Sequence, residues 1–151
     1  MICFAGAAVL SLAPITRDAR AAGNIESLEL NSHNWEALGN SLKINKDGSY
    51  SYRVGSPNID VKEQSGKIDQ KQLEELMQLA GSADLAGLKE DYSFPPYSRS
   101  GQSYSLSIVT SARSKNVRFY LHGDETREEV PQVLIDITKK INAIINQIQK
   151  G

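Results

Sequence analysis

The chain holds two histidines, His33 and His122, and these are the first places to look for a base or a metal ligand. A tight metal site needs donors that converge at short spacing. His33 and His122 stand far apart, and neither has a histidine partner at helical spacing. "HGDET" (His122 to Thr126) offers weak cation ligands, but Asp124 and Thr126 are also ordinary capping residues for a following helix. Nucleophilic catalysis needs a hydroxyl, thiol or amine beside a base. Serines are plentiful, yet none stands in a G-x-S-x-G turn, and nothing pairs one of them with His122. The acidic pairs Glu74–Glu75, Glu90–Asp91 and Glu128–Glu129 are adjacent in sequence. Neighbours on a helix point about 100° apart, so these pairs read as solvated charge rather than shared acid–base sites. No glycine-rich phosphate loop precedes a helix. The expectation is a protein that is not an enzyme and holds no metal and no cofactor.

Recognition by shape is the chemistry that remains. "EDYSFPPYSRSGQSYS" (Glu90 to Ser105) fits neither helix nor strand. Pro95 and Pro96 stiffen the chain in extended conformations. Tyr92, Phe94 and Tyr97 are then held at fixed spacing, and Arg99 adds a planar donor. Tyrosine and arginine are enriched at interface hot spots. Trp35, the one tryptophan, lies in a second predicted loop, "HNWEALGN". The candidate partner-binding residues are therefore Trp35, Tyr92, Phe94, Pro95, Pro96, Tyr97 and Arg99. A second reading stays open, in which Tyr92 and Phe94 plug the end of the core and Trp35 acts as a lid. Seventeen basic residues balance eighteen acidic ones, so no net field draws the chain onto nucleic acid or an anionic membrane.

These loops need a scaffold, and the patterning supplies one. Leu28 and Leu30 are two apart, as in a strand. "SLKIN" and "YSYRV" alternate on either side of "KDGS", where Gly48 can take the positive φ of a tight hairpin. A short strand is expected around Ile59 and Val61. "DQKQLEELMQLAG" reads as a helix capped by Asp69, with Gln72 placed to return a capping-box bond and Gly81 to stop it. A second antiparallel pair joins Tyr104, Leu106 and Ile108 to Val117, Phe119 and Leu121, leaving Arg118, Tyr120 and His122 on the other face. Pro131 opens a final helix whose stripe runs through Leu134, Ile137, Ile141, Ile144, Ile145 and Ile148. The expected fold is α+β: an antiparallel sheet of about four to five strands with two helices packed on one face.

"ICFAGAAVLSLAP" (Ile2 to Pro14) is apolar but shorter than the roughly 20 residues a bilayer span needs. Ala19 and Ala21 fit an A-x-A cleavage site, so residues 1–21 read as a secretory signal peptide and 22–151 as a single domain. No Lys or Arg precedes Ile2, the one signal feature that is missing. Cys3 is the only cysteine, so cleavage leaves a domain without thiols that must hold by its core. The expected address is periplasmic or secreted.

"KINKDGSYSYRV" followed by "GKIDQKQLEELMQLAGSADLAGLKEDY" resembles a group of small bacterial α+β domains. In these a Gly-Lys segment leads into a helix that ends near an Asp-Leu pair, with a leucine and a tyrosine beyond. The layout from Ile25 to Ile148 is also similar to that of the emfourins, protein inhibitors of thermolysin-like metalloproteases. Where emfourins carry a double glycine this chain has "SHNWEALGN", and no inhibitory residue is carried over. The leading expectation is an exported, non-enzymatic monomer that binds a protein through its irregular loops, and the resemblance adds protease inhibition as one concrete version. The rival readings are an accessory subunit of an envelope complex, bound through the sheet face around Arg118 and Tyr120, and a hydrolase using His122.

Overall fold

The computed structural model describes residues 24–34, 39–56, 59–92, 101–122 and 130–151. Its elements, in chain order, are β1 (Ile25–His33), β2 (Gly39–Asn45), β3 (Ser49–Ser56), β4 (Ile59–Lys67), α1 (Gln70–Gly81), β5 (Asp91–Tyr92), β6 (Gly101–Thr110), β7 (Ser114–His122) and α2 (Gln132–Lys150).

β1 sets the frame. Leu28, Leu30 and Ser32 are buried, while Ser27, Glu29 and Asn31 between them stay half-buried, as a period of two requires. β1 pairs antiparallel with β2 on one side and β6 on the other, so Leu28 lies between Ile44 and Ile108, and Leu30 between Leu42 and Leu106. Tyr52 extends this apolar face through β3, and Val117 and Phe119 extend it through β7. The strand order is β4-β3-β2-β1-β6-β7-β5, one seven-stranded sheet.

The α+β class holds, but the expected antiparallel sheet of four to five strands does not. The sheet has seven strands and is mixed, because β5 pairs parallel with β7. Two strands account for the difference. β4 runs for nine residues, Ile59–Lys67, rather than as a short strand around Ile59 and Val61. Every residue from Asp60 to Lys67 is exposed, so β4 belongs to the sheet through backbone bonds to β3 and shows no apolar alternation. β5 is two residues long. Between β5 and β7 the chain passes through β6, which is antiparallel to β7, while α1 carries the chain from β4 at one edge of the sheet to β5 at the other.

The two helices share one core with the apolar face of the sheet. In α1, Leu73, Leu76 and Ala80 are buried. The Asp69 carboxylate accepts hydrogen bonds from the Lys71 and Gln72 amides, which satisfies two of the four orphan donors of a helix start. The Gln72 side chain does not close a capping box. It donates instead to Gln147 of α2 at 2.7 Å. Gly81 is the last helical residue, and Ser82 is the C-cap, its hydroxyl donating to the Leu79 carbonyl. Pro131 occupies the N-cap of α2 with an extended ψ of 136°, one position earlier than the first-turn site expected. Leu134, Ile137, Ile141, Ile144, Ile145 and Ile148 of α2 are all buried, and the buried Thr138 hydroxyl is satisfied by the Leu134 carbonyl at 2.7 Å. Lys140 donates to Glu75 at 2.6 Å across the helix pair, and that bond holds the Glu75 carboxyl below its ordinary value.

The β2–β3 turn rests on one glycine. Gly48 has φ 83°, and its N–H bonds to the Asn45 carbonyl. Asp47 accepts from both the amide and the hydroxyl of Ser49, which lowers its carboxyl. A Cβ on Gly48 would also stand 3.3 Å from a Leu73 methyl. Gly48→Ala is therefore expected to lower stability by about 1–2 kcal/mol through left-handed backbone strain alone. Urea denaturation would report this as a lower midpoint at unchanged slope.

Candidate functional site

The sheet topology gathers chain crossings at one end. β1 and β3 run toward it and finish at His33 and Ser56, while β2, β4 and β6 start from it at Gly39, Ile59 and Gly101. β7 finishes there at His122, and β5, parallel to β7, runs the same way to Tyr92. The chain thus leaves the described sheet toward this end after β1, β3, β5 and β7. The opposite end carries the short turns at Asn45–Ser49 and Thr110–Ser114. The second is closed by Thr110, whose hydroxyl accepts from the Ala112 and Arg113 amides.

Of the residues expected from the sequence to contact a partner, Tyr92 is described. It is half-buried, packs against the core and accepts a hydrogen bond from the Lys89 amide at 2.9 Å. The Lys89 ammonium lies 6.0 Å from its ring centre. Trp35, Phe94, Pro95, Pro96, Tyr97 and Arg99 lie outside the described residues, as do residues 1–21, expected to be a signal peptide, and Asp124 and Thr126, expected to cap the last helix. Tyr92 and Gly101 flank the proline loop, and Asn34 and Gly39 flank the Trp35 segment. Both pairs belong to the crossing end of the sheet.

The outer face of the sheet, opposite the helices, is polar. It carries Glu29 and Asn31 of β1, Ser41 and Lys43 of β2, Ser51 and Arg53 of β3, and Ser105, Ser107, Asn116 and Arg118 of β6 and β7. Glu29 accepts weakly from Asn31 and Ser41, each at 3.4 Å. Arg53 pairs with Glu63 at 2.9 Å, and Arg118 pairs with Asp91 at 2.9 Å, all well exposed. Ion pairs this open to water contribute little to stability and remain free to exchange partners. Arg118 is thus accessible, whereas Tyr120 is only 6% exposed. The Tyr120 ring lies over Gly101, where a Cβ would collide with it. Tyr120 is a packed residue of this face rather than an open contact.

A groove of about 520 Å³ crosses the outer face over β1 to β4. Its lining includes His33, which the sequence offered only as a base or metal ligand, and Gly39, Arg53, Gly55 and Val61, none of which the sequence marked as a site residue. The signals were the two glycines within strands and a valine in an otherwise polar run. Glycine in a strand marks a bulge or a place where another group comes close.

The fold and the groove together define an α+β domain with one helix-covered face and one open polar face. No protein-family model and no curated protein matches the chain. Among the described residues, no helix is long and apolar enough to cross a membrane.

Proposed function

We propose that the chain is an exported, non-enzymatic protein-binding module of the periplasm or the extracellular space. The observation that carries this reading is the convergence of the strand ends at His33, Gly39, Ser56, Tyr92, Gly101 and His122 on one end of a single sheet. Loops mounted side by side on a rigid sheet make a broad contact surface. The segments between these ends contain Trp35, the one tryptophan, and the Pro95–Pro96 segment with Phe94, Tyr97 and Arg99. In its concrete version the module inhibits a metalloprotease by presenting the stiff proline loop to the active-site cleft.

The test is titration of a thermolysin-like metalloprotease with the purified chain. Saturable inhibition at a near-stoichiometric ratio is expected. Cleavage of the chain between Tyr92 and Gly101 with no loss of protease activity would overturn the inhibitor version.

A second reading, an accessory subunit of an envelope complex, draws on the open outer face and the accessible Arg118 guanidinium. Cross-linking in envelope extracts separates the two. Recovery of a membrane assembly through Arg118-face residues supports the subunit, and recovery of a single protease supports the inhibitor. Failure to find a partner in either experiment would remove the protein-binding reading itself.

A further inference from the structure

β4 joins the sheet with its polarity reversed. Its partners on β3 fix which way each residue faces: Lys62 lies opposite Val54, Gln64 opposite Tyr52 and Gly66 opposite Tyr50. Tyr50 and Tyr52 are registered in turn against Ile44 and Leu42 of β2, which are fully buried. The positions of β4 that turn toward the helix-covered face are therefore a lysine, a glutamine and a glycine. Apolar Val61 lines the groove on the outer face and is 50% exposed. Every residue from Asp60 to Lys67 is exposed, so the cover given by the helices ends at β3. Apolar burial is the main force that offsets the entropy lost when a strand is ordered, and this run supplies little of it.

The two ends of β4 are tied unequally. Near its finish, Gly66 leaves room for the Tyr50 ring, whose hydroxyl oxygen and Cε1 lie 2.9 and 3.0 Å from where a Gly66 Cβ would stand. Beyond it, Ile68 packs against the core and its N–H donates to the Gly48 carbonyl at 3.0 Å. Asp69 then caps α1. At the start of β4 the ladder is irregular instead. The register to β3 shifts between Val54 and Ser56, and a bulge of this kind disrupts the backbone bonds around it. Between the two ends, the Arg53–Glu63 ion pair spans the strands at 2.9 Å, but its side chains are 58% and 63% exposed. A pair so open to water adds little.

We infer that residues 59–65 form an edge flap, which peels from β3 as its own unit, starting at Ile59 and hinging at Gly66, while the other strands stay paired. Opening bares the β3 backbone at Arg53 and Val54, at the end of the sheet where the Trp35 segment leaves β1. The flap thus controls exposure of the β3 edge, which the closed fold keeps paired. Opening needs no partner, so the flap stands apart from the protein-binding reading.

The experiment is native-state hydrogen exchange, followed by NMR at rising urea concentrations below the unfolding transition. Along β3, the amides bonded to β4 should exchange at least about hundredfold faster than those bonded to β2, and the amides of residues 60–65 bonded to β3 should match the faster set. Both fast sets should show a urea slope well below that of the β1 amides, because opening the flap exposes little surface. The Ile68 amide should stay with the slow set. Ile108→Val trims a fully buried side chain of β6, far across the sheet from β4. It should speed the β1 amides by about twofold to tenfold and leave the flap amides unchanged, since its contacts persist when the flap is open. Equal exchange of the two β3 sets, one common urea slope, an Ile68 amide as fast as the flap, or an Ile108→Val effect of the same size on flap and β1 would each overturn the hinged flap.

Discussion

Phe119→Ala is expected to lower the unfolding free energy by about 3–5 kcal/mol, and for a domain of this size the melting temperature should fall by roughly 10 °C or more. Phe119 is fully buried at the centre of β7. Its ring stacks on Tyr104 of β6, with centroids 5.4 Å apart and planes 17° from parallel. Truncation removes that stack and leaves a void under a sheet whose backbone ladder on both sides resists collapse. Burial also raises the Tyr104 hydroxyl above its ordinary value. The loss should spread to one edge. Tyr92 of β5 is registered against Phe119, and the Arg118 amide bonds to the Glu90 carbonyl. Faster hydrogen exchange at Arg118 should therefore accompany the lower urea midpoint. Val109→Ala is the control. Val109 is 37% exposed and its change should stay within about 0.5 kcal/mol. A Phe119→Ala loss below about 1 kcal/mol would mean that the β6–β7 face is not packed as described.

How far the sequence could be read follows from what each element buries. Leu42, Ile44, Tyr52 and the isoleucines of α2 were legible because each turns its apolar side to one core, and burial imprints a period of 2 or 3.6 on the residues. Asp69 and Gly48 were legible because a cap and a left-handed turn demand particular residue types. β4 was legible only in part. "IDVKEQSGK" lies on the sheet edge with its described side chains in water, so nothing but the backbone ties it to β3. β5 left no mark, since two residues in parallel register depend on where α1 returns the chain.

The open face shows the same division. Alternation placed Tyr120 opposite the core, and that is the face it occupies, but alternation says nothing of depth. Gly101, diagonal to it across β6 and β7, leaves the room in which the ring lies flat and buried. In the sequence Gly39 stands inside the expected "HNWEALGN" loop and Gly55 carries no mark, yet both lie within strands. Their pairing, and the His33 and Val61 side chains that lean over them, exist only once β2 and β3 are in register. Trp35 and Pro95–Pro96, read in the sequence as loop residues, lie outside the described residues, and of the stretch Glu90 to Ser105 read as neither helix nor strand, Asp91–Tyr92 and Gly101–Ser105 are strand. The topology that brings the flanking strand ends together is a long-range property of the β1–β6 and β6–β7 pairings.

Ile141→Ala in α2 should cost about 2–5 kcal/mol, and the comparison that gives this meaning is Lys140→Ala beside it. Ile141 is fully buried in the middle of the α2 stripe. Isoleucine is a modest helix former, so α2 is held by what it covers rather than by its own propensity. Lys140 forms the cross-helix bond to Glu75, but both side chains are more than a third exposed, and an ion pair so open to water is screened and entropically costly to hold. Its removal should shift the urea midpoint barely if at all. The two substitutions therefore separate apolar cover from surface charge as the force that seats α2. They also reach the open face. Near the end of α2, Gln149 donates to the Tyr52 hydroxyl at 2.8 Å, and Tyr52 lies between the outward-facing Ser51 and Arg53 on β3. Loss of apolar seating should loosen β3, and hydrogen exchange at its amides should quicken in Ile141→Ala at temperatures where the domain is still folded. A Lys140→Ala variant as damaged as Ile141→Ala would place the seating of α2 in the ion pair and undo this account of what holds the helix on the sheet.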